Sequence, residues 1–191
     1  MKNGQAAGSR SLAGKFAAKA GALWAETHGV AAIEFGLFAI FLSLALANVT
    51  DASFYIYQRM QAENATEVAA QAAWKTCDPA QGQLPAKLNC SGLTAAVQNA
   101  VQSTSLGTRV SLVSGSPSEG YYCVNSSGAL QYVSDVSSKP TDCSTAGMPG
   151  LQPGDYIQVQ TSFTFVPLFP DLSIASTFPT VINRTSIMRL G

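Results

Sequence analysis

The sequence predicts an α+β protein, a long N-terminal helix packed on a small antiparallel sheet of three to five strands. Three observations predict it. Val30 to Val49 read VAAIEFGLFAIFLSLALANV, twenty residues whose only charge is Glu34. At about 1.5 Å per residue such a run spans about 30 Å, the hydrocarbon thickness of a bilayer. Residues 50–76 contain neither glycine nor proline and are rich in alanine, so helix continues beyond the apolar run. After residue 109 the apolar period falls to two, the signature of half-buried strands.

The elements follow in chain order. Residues 1–29 are a basic leader: Lys2, Arg10, Lys15 and Lys19 stand against Glu26 alone, a net +3, while residues 30–191 carry a net −3. The formal charge of zero therefore conceals a basic head on an acidic body. The excess of Lys and Arg before the run predicts a cytoplasmic leader and an external C-terminal bulk. Leu12, Phe16, Ala20, Leu23 and Trp24 fall near one helical face, with Lys15 and Lys19 four apart, a pattern for a helix lying on anionic lipid; a leader without helix fits the same residues. Residues 30–49 are the transmembrane part of the first helix. Ala45-Leu46-Ala47 has the small-x-small form of a secretory cleavage site, which would release a chain starting at Asn48. The run, however, exceeds the usual ~7–15 apolar residues of a signal peptide and contains a carboxylate, so retention in the membrane is the preferred reading.

Residues 50–76 are the outer part of the same helix. Phe54, Tyr57, Gln61, Ala65, Val68 and Ala72 recur at three- and four-residue steps as a packing stripe, with Arg59 and Glu63 as an i,i+4 pair on the exposed side. Asp78-Pro79 ends the helix. A short helix is predicted over 93–104, with Leu93, Ala96, Val97, Ala100 and Val101 on one face. Strands are predicted over 109–113, 121–124, 130–133, 156–165 and 181–188, separated by turns such as Ser126-Ser127-Gly128 and Gln152-Pro153-Gly154-Asp155. A single-faced sheet must be covered, and the outer half of the long helix is the available cover.

The chemistry-bearing residues are few. Charged residues make up 12% of the 191, about half the usual share, and the zero net charge argues against a nucleic-acid partner. The single histidine, His28, removes most Ser-His, Cys-His and histidine-metal chemistry. No phosphate-binding glycine loop, nucleophile elbow or cleft-like carboxylate pair is evident, so an enzyme is not expected, nor any cofactor or metal. Cys77, Cys90, Cys123 and Cys143 all lie beyond the apolar run, as disulfides in an oxidising compartment would. Three connectivities are possible. Cys77–Cys90 with Cys123–Cys143 is preferred because each then closes a local loop, worth about 3 kcal/mol through the unfolded state. The most apolar stretch outside the run, Phe163 to Pro170, is read as the last core strand and its exit rather than as a contact surface for another subunit.

One motif points further. His28-Gly29-Val30-Ala31-Ala32-Ile33-Glu34-Phe35 enters the apolar helix with a glycine, small residues, a glutamate and an aromatic. Followed by the Gln/Ala/Asn-rich continuation from Phe54 to Ala73, it resembles the TadE-like pseudopilins of tight-adherence (type IVb) pilus systems, whose entry to the membrane has the form GxAAxEF. The likeness covers roughly residues 29–75. It implies a pilin-like arrangement of spine helix and sheet, a single-pass protein of the bacterial inner membrane with a periplasmic 77–191 domain, and cleavage by a prepilin peptidase between Gly29 and Val30. It also implies pairing of Glu34, beside Phe35, with the α-amine of a neighbouring pilin or pseudopilin, so that two charges costly alone become tolerable together. The partners so implied are the peptidase, other pilins through the N-terminal helix, and inner-membrane lipid. The competing expectation is a secreted or membrane-tethered periplasmic binding domain with no filament role.

Overall fold

The computed structural model describes residues 27–191, and the chain divides into two compact units, Met1–Ala47 and Asn48–Gly191. The leader helix expected around residues 12–24 lies outside the described residues. Helix α1 runs unbroken over Thr27–Thr76. In the first unit its side chains are uncovered: Phe35 and Phe38 are 75% and 74% exposed. A helix apolar on every face and uncovered by the other described residues is suited to a non-aqueous surrounding. Among the described residues this is the one helix long and apolar enough to cross a membrane.

In the second unit α1 becomes one-sided. Asp51, Gln58, Ala62, Ala65, Thr66, Ala69, Ala70 and Ala73 are buried, with Phe54 and Tyr55 packed against the core. Of the expected stripe, Ala65 is fully buried, Phe54, Gln61, Val68 and Ala72 are half-buried, and Tyr57 is 57% exposed. The helix is rotated from the expected setting because alanines, not the larger side chains, face the core; a row without bulk lets the sheet come close. Glu63 reaches Arg184 across 3.9 Å and is not held in the expected pair with Arg59. Asp78 ends the element as a cap, its Oδ1 accepting the Ala80 N–H at 2.8 Å in the short 3-10 turn Pro79–Gln81. Helix α2 (Ala86–Asn89) follows, then α3 (Leu93–Gln102), whose Leu93, Val97 and Val101 are buried at four-residue steps.

Five strands form one antiparallel sheet: β1 (Val110–Leu112), β2 (Ser118–Val124), β3 (Leu130–Asp135), β4 (Gly154–Thr164) and β5 (Val181–Arg189). The central strand is β4. One edge pairs with β5 from Tyr156↔Arg189 to Thr164↔Val181; the other is shared by β1 at residues 161–163 and β2 at residues 154–158, with β3 beyond β2. The alternation along β4 is regular: Asp155, Ile157, Val159, Thr161 and Phe163 are buried, and the even-numbered residues from Tyr156 to Ser162 are half-buried. Ile157, Val159, Phe163, Phe165, Ile182 and the α1 alanines belong to one core. Its polar element is locked: Thr66 Oγ1 lies 2.7 Å from the Ala62 carbonyl and 2.6 Å from Thr161 Oγ1. Thr66 donates to the carbonyl, so Thr161 donates to Thr66. On the sheet's other face Tyr122 meets Tyr132 and Tyr156 edge-to-face, at ring separations of 5.4 and 5.6 Å. Gly120 lies beneath this cluster, where a Cβ would come within 2.7 Å of the Tyr132 ring.

Disulfides join Cys77 to Cys90 and Cys123 to Cys143, the two local pairs. The first belongs to the main core; the second forms a satellite cluster with Ala146, against which Val133 and Met148 pack.

Candidate functional site

Three groupings carry polar or apolar chemistry beyond what the core requires. The first is the membrane-entry segment in the first unit. The Gly29–Val30 bond lies in the opening turn of α1, and Glu34 follows one turn later. Val30 is 58% exposed, Phe35 75%, and Glu34 is exposed as well. No atom stands within 4 Å of where a Cβ on Gly29 or Gly36 would be, so neither glycine is required by packing among the described residues. Each nevertheless costs the helix about 1 kcal/mol relative to alanine. The structure thus presents Gly29, Val30, Glu34 and Phe35 outward on one short helical stretch, available to another molecule.

The second grouping is in the second unit, where the first helical turn grips the β4–β5 connection. Asp51 is fully buried, its two carboxylate oxygens accepting the N–H groups of Leu168 at 2.8 Å and Phe169 at 3.1 Å. One turn earlier, Asn48 Oδ1 accepts the Ile174 N–H at 2.8 Å, and its amide donates to the Leu172 carbonyl at 3.4 Å. Tyr55 packs edge-on against Phe165, with ring centres 5.0 Å apart, and also against Phe178, which fixes the base of the same connection. Phe163 and Phe165 are core residues, as expected; Val166, Leu168 and Phe169 are not, being 67%, 53% and 40% exposed. The exit of the strand is therefore an anchored apolar surface. Asn48 and Asp51 carried no sequence signal other than polarity at the end of the apolar run and just beyond it.

The third grouping is a buried carboxylate pair that the sequence concealed. On the inner face Glu119 of β2 stands opposite Ile157, and Asp155 of β4 opposite Tyr121, which makes the two acids diagonal neighbours. They are 6% and 7% exposed. Glu119 accepts the N–H groups of Ala86, at 2.7 Å, and Lys87, closing the start of α2. Burial first, then the Glu119 charge and a hydrogen bond with that side chain, push the Asp155 carboxyl up to about 7; Lys139 opposes the rise. Burial and the same two acids also raise the Tyr121 phenol. Lys139 Nζ stands 5.7 Å from the centre of the Tyr121 ring. A cavity of about 390 Å³ borders Asp155, lined also by Leu84, Tyr121, Lys139 and Arg189 among others. The sequence reading puts Asp155 in a turn, whereas it is the second residue of β4. Carrying the β4 alternation back from Ile157 puts it on the buried face.

Glu119 ties the sheet to the start of α2 through the Ala86 and Lys87 N–H groups, and the raised Asp155 carboxyl beside it favours the protonated form. Among the described residues no group of three or more His, Cys, Asp or Glu side chains could hold a metal ion. Comparison with protein families, with curated proteins and with solved structures finds no match to this chain.

Proposed function

We propose that this protein is a minor pseudopilin that helps to assemble a tight-adherence (type IVb) pilus, anchored by its N-terminal helix in the bacterial inner membrane with residues 77–191 in the periplasm. The observation that carries the reading is the outward presentation of Gly29, Val30, Glu34 and Phe35 on an apolar helix that no other part of the described chain covers. Cleavage after Gly29 by a prepilin peptidase makes Val30 the N-terminus and places its α-amine one turn from Glu34. A pairing of Glu34 with the amine of a neighbouring subunit then neutralises both charges inside the bilayer, where an ionised carboxylate near the centre costs about 2.5–3.5 kcal/mol and less near the end of the span. The spine helix over an antiparallel sheet and the two disulfides on the far side of the apolar run support the same reading.

One observation favours a second reading, a secreted or tethered binding domain: the second compact unit begins at Asn48, where the Ala45-Leu46-Ala47 site would cut. Against it, α1 is continuous through that site. N-terminal sequencing of the protein recovered from membranes of a host with its prepilin peptidase decides between them. Val30 as first residue is the expected result. Asn48 establishes the secreted domain, and an uncut leader refutes processing.

A further inference from the structure

We propose that the β4–β5 connection, residues 166–174, is a second membrane contact: an apolar collar that lies in the interfacial layer of the leaflet from which α1 emerges. The proposal rests on the membrane-anchored reading of α1 and goes beyond it by assigning lipid as the occupant of a surface in the second unit. Three independent features of the connection point there.

The first is what it exposes. Val166, Leu168, Leu172 and Ile174 are 67%, 53%, 61% and 62% exposed, and Phe169 adds a ring. Between Phe165 and Thr180 the only charged residue is Asp171. So dense a cluster of large apolar side chains on an ordered segment marks a contact surface rather than scattered exposure.

The second is how the backbone is satisfied. Leu168 and Phe169 donate to Asp51, Ile174 donates to Asn48, and Leu172 and Ser173 both donate to the Phe169 carbonyl. Pro167 and Pro170 have no N–H to satisfy. Five of the seven N–H groups from Val166 to Ile174 are therefore paired within the chain, which fixes the connection and leaves few backbone donors to be satisfied where lipid cannot satisfy them. Ser173 does the same for the turn that follows, accepting the Ala175 N–H at 3.0 Å.

The third is where it is tied. Asn48 and Asp51 hold the connection, and they flank Val49, the last residue of the apolar run. With residues 30–49 spanning the hydrocarbon, Asn48 and Asp51 fall at its boundary by their place in the chain, and the connection is hydrogen-bonded directly to both. Apolar side chains held there enter the headgroup and acyl boundary to a depth of about 5–10 Å. This continuity with the bilayer favours lipid over a second copy of the chain as occupant.

The test is depth-dependent quenching of single tryptophans in the full-length protein, reconstituted in phosphatidylethanolamine and phosphatidylglycerol vesicles. Trp24 and Trp74 are replaced by phenylalanine, and one tryptophan is introduced as Phe169→Trp or, in a second protein, Leu172→Trp. Leu37→Trp reports the span, and a protein keeping only Trp74 reports the far end of α1. Lipids brominated near the headgroup end of the acyl chain should remove about half of the Phe169→Trp and Leu172→Trp emission and leave Trp74 bright; lipids brominated near the chain terminus should quench Leu37→Trp more than either loop probe. Unquenched loop probes beside a quenched Leu37→Trp overturn the collar and leave the anchor standing. Loop emission that is blue-shifted yet unquenched identifies a protein occupant and also overturns it. If Leu37→Trp is itself unquenched, the anchor falls and the collar with it.

Discussion

Replacing Asp155 by asparagine isolates the proton held by the buried carboxylate pair. In the folded protein this carboxyl is raised from 3.8 to about 7, chiefly by burial and then by Glu119. Over that interval the native state binds a proton that the unfolded chain has released, so the contribution to stability is complete below about pH 4 and is lost as pH rises through about 7. At ~1.4 kcal/mol per tenfold the full shift corresponds to ~4 kcal/mol. Asp155 borders a cavity and Lys139 opposes the shift, so solvent screening reduces this to about 2 kcal/mol. Urea unfolding of the full chain in mild detergent, followed by the near-ultraviolet dichroism of its tyrosines, should show the native protein losing about 1–2 kcal/mol between about pH 5 and 8. Asp155→Asn should match it at the lower pH, because the amide can donate to Glu119 where the protonated carboxyl did, and should lose less than half as much on going to the higher pH. Native stability that stays level or rises over this interval would refute the reasoning, as would an unchanged slope in the variant.

Two further predictions concern α1. Glu34→Ala and Glu34→Gln should both permit membrane insertion and cleavage before Val30 yet abolish pilus assembly, scored by surface filaments at normal protein abundance; filaments in both variants would reduce Glu34 to a tolerated carboxylate near the end of the span. Ala69→Leu, at a fully buried position, should destabilise the second unit by about 1–3 kcal/mol in the same unfolding assay, whereas Gln71→Leu on the exposed side should stay within about 0.5 kcal/mol. Equal effects would mean that the alanine row does not face the core.

The sequence disclosed what repeats locally and hid what depends on strand pairing. The long helix, the helix starting at Leu93 and the alternation through Ile157, Val159 and Phe163 were legible because each imposes a periodicity on neighbouring residues. The local disulfide pairs were legible because short loops close at small entropic cost. The rotation of α1 was not, because alanines occur on several sides of the helix at three- and four-residue steps, and the spacing alone does not say that the row through Ala62, Ala69 and Ala73 is the one that faces the sheet. Glu119 and Asp155 become neighbours only through the β2–β4 register, and no local spacing encodes that register. The grip of Asn48 and Asp51 on residues 168–174 is likewise a long-range event, in which the functional signal is a pair of polar side chains one helical turn apart.

The two parts of α1 differ in how their unfavourable residues are balanced, and the difference bears on what the first part is for. In the second unit, the helix's Asn48, Asp51 and Thr66 all find hydrogen-bond partners inside the chain, and the small side chains from Ala62 to Ala73 are matched by the sheet. In the first unit, Gly29 and Gly36 lower helix stability with no neighbour to fill the space, and among the described residues no side chain forms an ion pair with Glu34. Two glycines at about 1 kcal/mol each, together with a carboxylate in an apolar run, make a sequence that a plain anchor would do better without. Leucine or alanine at all three positions would span the bilayer more favourably. Residues that weaken a segment in isolation are accounted for by what the segment contacts, and on a helix that the other described residues leave uncovered such contacts are proposed to come from other molecules. The glycine before Val30 suits a protease that requires a small residue, and Glu34 suits a cation brought by a partner. This is the physical reason for proposing that the membrane-entry segment, rather than the folded outer unit, carries the contacts of an assembly role.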